Sequence, residues 1–294
     1  MVKIRKEDRK SKTYYYLEHS YRDNKLIKKK QLYLGKSIPE NIEKLKQDFI
    51  SKIYNEKWLN KINIIKKNFS RELNKTPKSA KEKNIENFII KFTYNTQRIE
   101  GSTLSLKETA DLLEKNITPN KKPIEDVKEA ENHKTVFYEM LGYKKDLTYS
   151  IILYWHKKLF QETKKDIAGK IRNHQVAIAR SKFTPPLPVE LSALLNEFFD
   201  WYSNNKKIHP VELAALVHLK FVTIHPFSDG NGRISRLLMN FILKKYNFPL
   251  LDIRYENRTS YYNALERSQI KKQNDIFIQW FFRKYLKEFK NYLK

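Results

Sequence analysis

Six glycines in 294 residues leave this chain few places to turn sharply, and two of the six stand within HPFSDGNGRISR, residues 225 to 236. Chain that lacks glycine and proline and repeats its apolar residues three and four apart is helix-forming. That spacing recurs in Ile85, Phe88, Ile89 and Phe92, in Leu191, Leu194, Leu195 and Phe198, and in Leu213, Leu216, Val217 and Phe221. PVELAALVHLKFVTI from Pro210 and ISRLLMNFILKKY from Ile234 predict two strongly apolar helices, with HPFSDGNG as the tight loop between them. A loop that short needs glycine at positive φ. SLKE, Ser105 to Glu108, predicts a capping box at the start of a further helix. The fold class expected is mainly α, a helical bundle.

Two stretches depart from that texture. Thr13 to Lys36 has β-rich aromatic runs on either side of RDNK, which predicts a small N-terminal β-hairpin ending at Gly35. Ala168 to Pro188, AGKIRNHQVAIARSKFTPPLP, interrupts the helices with Gly169, spaced Ile171, Val176 and Ile178 and the Pro185-Pro186 pair, which predicts an extended hairpin.

Glycine accounts for the turn at 225–236 but not for its charges. Arg233 and Arg236 fall three apart in the first helical turn, where the positive end of the helix dipole disfavours cations. An anion offsets this. Successive amides of Gly230, Asn231 and Gly232 make a nest for phosphates at that terminus. Asp229 is wrong for phosphate but right for Mg²⁺ held between phosphate oxygens. His225 can serve as a general base near neutral pH. Together these residues describe phosphoryl or nucleotidyl transfer. The other histidines, His19, His133, His156, His174, His209 and His218, read as structural. The single GKS, at Gly35, lacks the glycine five residues earlier that a phosphate-binding Walker loop requires, since Lys30 stands there.

Inventory narrows the classes further. There is no cysteine, which excludes disulfides, thiolate nucleophiles and thiolate metal sites and fits a reducing, cytoplasmic setting. MVKIRKEDRKSK has charges where a signal peptide needs an apolar stretch, and no segment is apolar for long enough to predict a membrane helix. The net charge is +26, and residues 1–80 hold 22 Lys plus Arg against 9 Asp plus Glu. That imbalance suits an anionic partner such as nucleic acid. A general Lys-rich bias on solvated helix faces suits it as well.

HPFSDGNGRISR resembles the Fic motif, HPFx(D/E)GNGRxxR, at every specified position. GKIRNHQVAIARSKFTPPLP is similar to the flap hairpin of Fic proteins and ENRTSYYNALERSQ to their downstream helix, so the likeness covers roughly residues 85 to 290. The resemblance implies a protein adenylyltransferase that moves AMP from ATP to a hydroxyl side chain of a target protein and releases pyrophosphate. It implies His225 as the base, Phe227 as an anchor in the core, Asp229 as the Mg²⁺ ligand, and Gly230, Asn231 and Gly232 as the phosphate cradle. Arg233 and Arg236 would neutralise distal phosphates, Tyr261 and Tyr262 would lie beside the adenine, and the flap at Ile178, Ala179, Arg180 and Ser181 would dock the target. TQRIEG, Thr96 to Gly101, resembles the family's inhibitory motif (S/T)xxxE(G/N), which implies that Glu100 pairs with Arg236 and holds the enzyme off. The expected organisation is a basic hairpin appendage over 1–40, a helical linker over 41–84 and the Fic domain over 85–294, with an inhibitory helix near 85–101. The target, a homodimer, and a bifunctional or mainly AMP-removing enzyme stay open. So does a nucleic-acid-associated regulator whose Fic site senses ATP.

Overall fold

In the computed structural model the aromatic N-terminal stretch forms an antiparallel sheet of order β1-β2-β3, with β1 Lys3–Arg9, β2 Lys12–Asp23 and β3 Leu26–Gly35. The structure describes residues 2–23, 26–179 and 181–294. Of the turn RDNK, Asn24 and Lys25 therefore lie outside the described residues. The expected hairpin is β2 and β3, but the appendage has a third strand. β1, KIRKEDR, has one apolar residue, Ile4, so no alternation marks it. Its register from Lys3↔Glu18 to Arg9↔Lys12 is held by backbone pairing with β2. One sheet face buries Leu17 against Phe49 and Ile53 of α1 (Ile42–Tyr54).

The chain divides into two compact units, residues 1–64 and 65–294, with the boundary inside α2 (Asn60–Lys75). The second unit is helical: α3 Lys78–Ile99, α4 Leu106–Lys115, α5 Ile124–Gly142, α6 Tyr149–Phe160, α7 Leu191–Asn204, α8 Pro210–Ile224, α9 Asn231–Lys245, α10 Arg258–Ile270 and α11 Asn274–Glu288. The predicted capping box is present, with Glu108 N donating to Ser105 Oγ at 3.2 Å and Ser105 N to Glu108 Oε2 at 2.8 Å. A helix apolar on all sides must be central. α8 is so, and α9, buried all round although it carries Arg233, Arg236 and Asn240, packs on it, with α7 and α11 against α8 and α3, α5 and α6 against α9. Each fully buried Leu, Val or Phe there stabilises by about 1.5–3 kcal/mol. No described helix is long and apolar enough to cross a membrane.

The flap is not a β-hairpin among its described residues. Between Ala168 and Leu187 the chain is irregular, with turns and no strand. Pro185 and Pro186 have no N–H to give a ladder. Side chains take the backbone groups a ladder would use: Arg172 NH1 donates to His174 O at 2.9 Å and NH2 to Pro186 O at 2.6 Å, and Gln175 Nε2 donates to Pro185 O at 3.0 Å.

Candidate functional site

The loop between α8 and α9 is fixed before any ligand is considered. His225 ends α8 in the left-handed region at φ 53°, and Gly230 opens α9 at φ 81°, where a side chain is strained and a Cβ would strike the Phe160 ring. Asn231 Nδ2 donates to Phe227 O at 2.8 Å while Phe227 N donates to Asn231 Oδ1 at 2.9 Å, so the loop is laced to its own helix start. Phe227 is fully buried under His156, the rings stacked at 3.7 Å.

His225 Nδ1 lies 3.2 Å from Val222 O, which accepts its hydrogen, so Nε2 is the free, unprotonated nitrogen. Burial, with the nearby Arg172 charge, holds its pKa below the ordinary value despite that bond. The ring is neutral at pH 7 and competent as a base. Arg172, 4% exposed, fixes the backbone beneath it by donating Nε–H to His225 O at 2.9 Å and its backbone N–H to Pro226 O at 3.0 Å.

The two loop arginines have different surroundings. Arg233 has its terminal nitrogens committed to Gln97 Oε1 (3.1 Å), to Glu129 Oε2 and to Asp229 Oδ1 (3.0 Å), and its guanidinium lies 4.5 Å over Phe160. Arg236, 1% exposed, donates to Thr96 Oγ1 at 3.0 Å, to Tyr261 OH at 3.3 Å and to Glu100 Oε1 at 2.6 Å. Burial alone would lower the Arg236 pKa, yet the Glu100 carboxylate holds it above the ordinary value. That carboxylate also lies against Gly232, where any Cβ would collide with Glu100 Oε1. Glu100 thus stands over the start of α9, where the helix dipole and amides favour an anion.

Asp229 accepts from Lys164 Nζ at 2.7 Å, from Arg233 at 3.0 Å and from the Gly230 amide at 2.5 Å. Burial would raise its pKa, but the charges of Arg233 and Lys164 bring it to about 2. The tyrosine pair splits. Tyr261 is 1% exposed, its hydroxyl 2.9 Å from His218 Nε2, whereas Tyr262 is 43% exposed and donates to Ile99 O at 2.9 Å, beside Glu100. On the flap, Ile178 is half-buried and Ala179 exposed; Arg180 lies outside the described residues. Glu266 of α10 accepts from Ser181 Oγ at 3.1 Å and from Lys182 N at 2.6 Å, which pins the far arm of the flap.

Residues 146–243 match the Fic/DOC family. That stretch, about a third of the chain, is similar to a Fic domain. The chain is 35% identical over 181 residues, 60% of its length, to "Protein adenylyltransferase Fic" of Nematostella vectensis, and spans 42% of that relative. Among solved structures it is similar to a Fic domain containing signaling protein from Bacteroides thetaiotaomicron, at 26% identity and a TM-score of 0.72, covering 80% of this chain and 96% of that one. It is also similar to Fic-1 (aa134 - 508) of C. elegans, at 26% identity and a TM-score of 0.68, covering 86% of this chain and 77% of that one.

Three residues that motif reading missed, Glu129, Lys164 and Gln97, and one histidine that it read as structural complete the site. Glu129 of α5 accepts from Arg233 and lies 3.0 Å from Lys164 Nζ, and Gln97 of α3 donates to Glu129 O at 2.9 Å. His156 of α6 reaches Asp229 O at 3.0 Å through Nε2 and accepts from Gly169 N at 2.9 Å through Nδ1. Burial lowers its pKa to about 4, so it is neutral and supports the loop from below.

The donor set tests the implied Mg²⁺. Among the described residues no three His, Cys, Asp or Glu side chains converge into a cation cage. Asp229 offers one carboxylate, 37% exposed. A single carboxylate suits Mg²⁺ that arrives with phosphates and keeps its waters, and does not suit a resident ion.

Proposed function

We propose that this chain transfers AMP from ATP to a hydroxyl group of a target protein, and that Glu100 holds the resting enzyme off. One observation carries the reading: a carboxylate from the end of α3 occupies the anion position at the start of α9, bonded at 2.6 Å to a buried arginine and pressed against Gly232. A site built for phosphate is filled by the protein's own acid.

In the transfer, the target hydroxyl oxygen attacks the α-phosphorus and its proton passes to His225 Nε2. The bond between the α-phosphorus and the bridging oxygen breaks, and pyrophosphate leaves with that electron pair. The amides at the start of α9 and the Arg236 guanidinium bind the distal phosphates once Glu100 is displaced. Asp229 would hold Mg²⁺ in exchange for Lys164, and the ion would stabilise charge on the phosphate oxygens. Exposed Tyr262, next to Ile99, is the aromatic residue placed to meet the adenine. Flap residues Ile178 to Ser181 would dock the target.

The lock is energetically modest. A carboxylate at the end of its own helix is unfavourable by roughly 0.3–1 kcal/mol, and the start of α9 returns a similar amount. The charge-assisted bond to Arg236 then decides the balance at about 1.5–3 kcal/mol. That is roughly a tenfold to hundredfold bias against productive ATP.

Labelled ATP tests both halves. Glu100→Gly is expected to raise the initial rate of AMP transfer, on the protein itself or an added target, by about tenfold to a hundredfold. Adding His225→Ala to that variant should abolish transfer while nucleotide still binds. Equal rates for parent and Glu100→Gly would remove the inhibitory role of Glu100. Transfer by the double variant at the rate of Glu100→Gly would remove His225 as the base.

A further inference from the structure

The N-terminal sheet has a second face that the catalytic chemistry does not use. Alternation along the strands puts Leu17 toward α1 and puts Arg5 and Arg9, Tyr14 and Tyr16, and Lys29 and Tyr33 on the opposite side. Tyr33, 53% exposed, lies between the other two rings, with centroids 5.3 Å from Tyr16 and 6.3 Å from Tyr14. The Arg5 guanidinium is 5.1 Å over the Tyr16 ring, and Glu7 and Glu18 hold it there at 2.5 and 3.7 Å.

Glu7 is shared between Arg5 and Arg9 and Glu18 between Arg5 and Lys29, and with Lys3 and Lys12 on the same face cations remain in excess over these two acids. Residues 1–40 contain 12 Lys plus Arg against 5 Asp plus Glu. Arg9 and Lys29 are more than 60% exposed at opposite edges of the sheet. A tyrosine cluster within a positive rim, Tyr33 exposed and Tyr14 and Tyr16 half-buried, is complementary to a partner with flat apolar rings and a negative backbone. We propose that this face binds single-stranded nucleic acid, with bases stacked on Tyr33 and Tyr14 and phosphates on the rim cations. A single strand fits better than a duplex because exposed rings accept only bases that are free of their neighbours. An acidic peptide or anionic membrane would meet the cations but leave the ring cluster unused.

The proposal is independent of AMP transfer and is tested on the full chain. The readout is fluorescence anisotropy of labelled 15-nucleotide RNA and DNA of mixed sequence at 50 and 200 mM KCl. Binding is expected at low salt and should weaken steeply at the higher salt. Tyr14→Ala with Tyr33→Ala should weaken it by at least about tenfold. Tyr14→Phe with Tyr33→Phe should keep parental affinity, because stacking survives and the fold is undisturbed. Arg9→Glu with Lys29→Glu, both exposed, should abolish it. No binding at 50 mM KCl would overturn the proposal, as would a double alanine variant that binds like the parent. Duplex DNA, polyglutamate or phosphatidylserine vesicles competing as well as single strands would also overturn it.

Discussion

The two units of this protein use charge in opposite ways. In residues 65–294 both loop arginines are buried, Arg233 on Glu129 and Asp229 and Arg236 on Glu100, and Lys164, itself partly exposed, closes a ring on the first two carboxylates. In residues 1–64 they lie on the surface, with Arg5 spread over Glu7 and Glu18 and Lys29 also on Glu18. The first arrangement positions a loop and the second forms a surface. Net charge distinguishes neither. What separates them is how much water each side chain keeps, because the same pair is worth little in solvent and a great deal when one partner is removed from a dry interior.

The largest expected effect tests the buried half of that contrast. Arg233→Met takes from Glu129, 6% exposed, its buried cation and leaves only Lys164 to serve it and Asp229, and should cost up to about 3–5 kcal/mol. Urea unfolding followed by circular dichroism measures it. Adding Glu129→Gln should restore part of the loss, since an amide needs no counter-charge. A loss under about 1 kcal/mol, with no coupling between the two changes, would mean the ring is no tighter than a surface pair.

How much of this was legible depends on where the residues stand in the chain. His225, Asp229, the glycines and both arginines are contiguous, so one loop displays them together; Glu100 was readable because its motif is local. The pairing of Arg236 with Glu100 followed from that motif, but the fate of Arg233 did not, because its partner Glu129 comes from a helix distant in sequence. Glu129 did leave a signal, a carboxylate at 129 on the stripe continued by His133, Val136 and Met140, where an apolar residue is expected. Lys164, in the turn-rich stretch ETKKD, left none. Tyr261 and Tyr262 are adjacent on a helix and point about 100° apart, so only one could face a ligand. The flap sequence alternates like a strand, but its prolines and the Arg172 and Gln175 side chains outcompete a ladder, which local periodicity does not reveal.

An intermediate effect comes from Asp252, a half-buried carboxyl that sits outside the ring. Its Oδ2 accepts from Asn95 Nδ2 of α3 at 2.6 Å, and its Oδ1 has no hydrogen-bond partner. Burial raises its pKa to about 7, against the pull of the Asn95 bond. The folded state then binds this proton more tightly than the unfolded chain does. The contribution is therefore fully present below pH 4 and is lost as pH rises to about 7. Asp252→Asn keeps the acceptor for Asn95 without the charge. Its melting temperature should exceed the parent's by a few degrees at pH 8, and the gap should narrow toward pH 5. A gap that does not change with pH would assign the effect to packing rather than titration.

The smallest expected effect tests the exposed half of the contrast. Arg5 is 41% exposed, and Glu7 and Glu18 beside it keep Arg9 and Lys29 as partners, so solvent and those cations replace whatever Arg5→Ala removes. The ring of Tyr16 would lose a guanidinium above it but keep Tyr33 at 5.3 Å. The melting temperature should therefore shift by no more than about 2 °C. Arg9→Ala, at the 63% exposed rim, should leave the melting temperature as little changed and lower the salt dependence of single-strand binding by about one unit of slope, because one phosphate contact is lost. Stability and binding are thereby separated at one residue, as they cannot be at Arg233, where the side chain that supports the loop also supports the fold. If Arg5→Ala destabilised the protein as much as Arg233→Met, the sheet would owe its stability to its charges, and its exposed face would be structural rather than a surface for a partner.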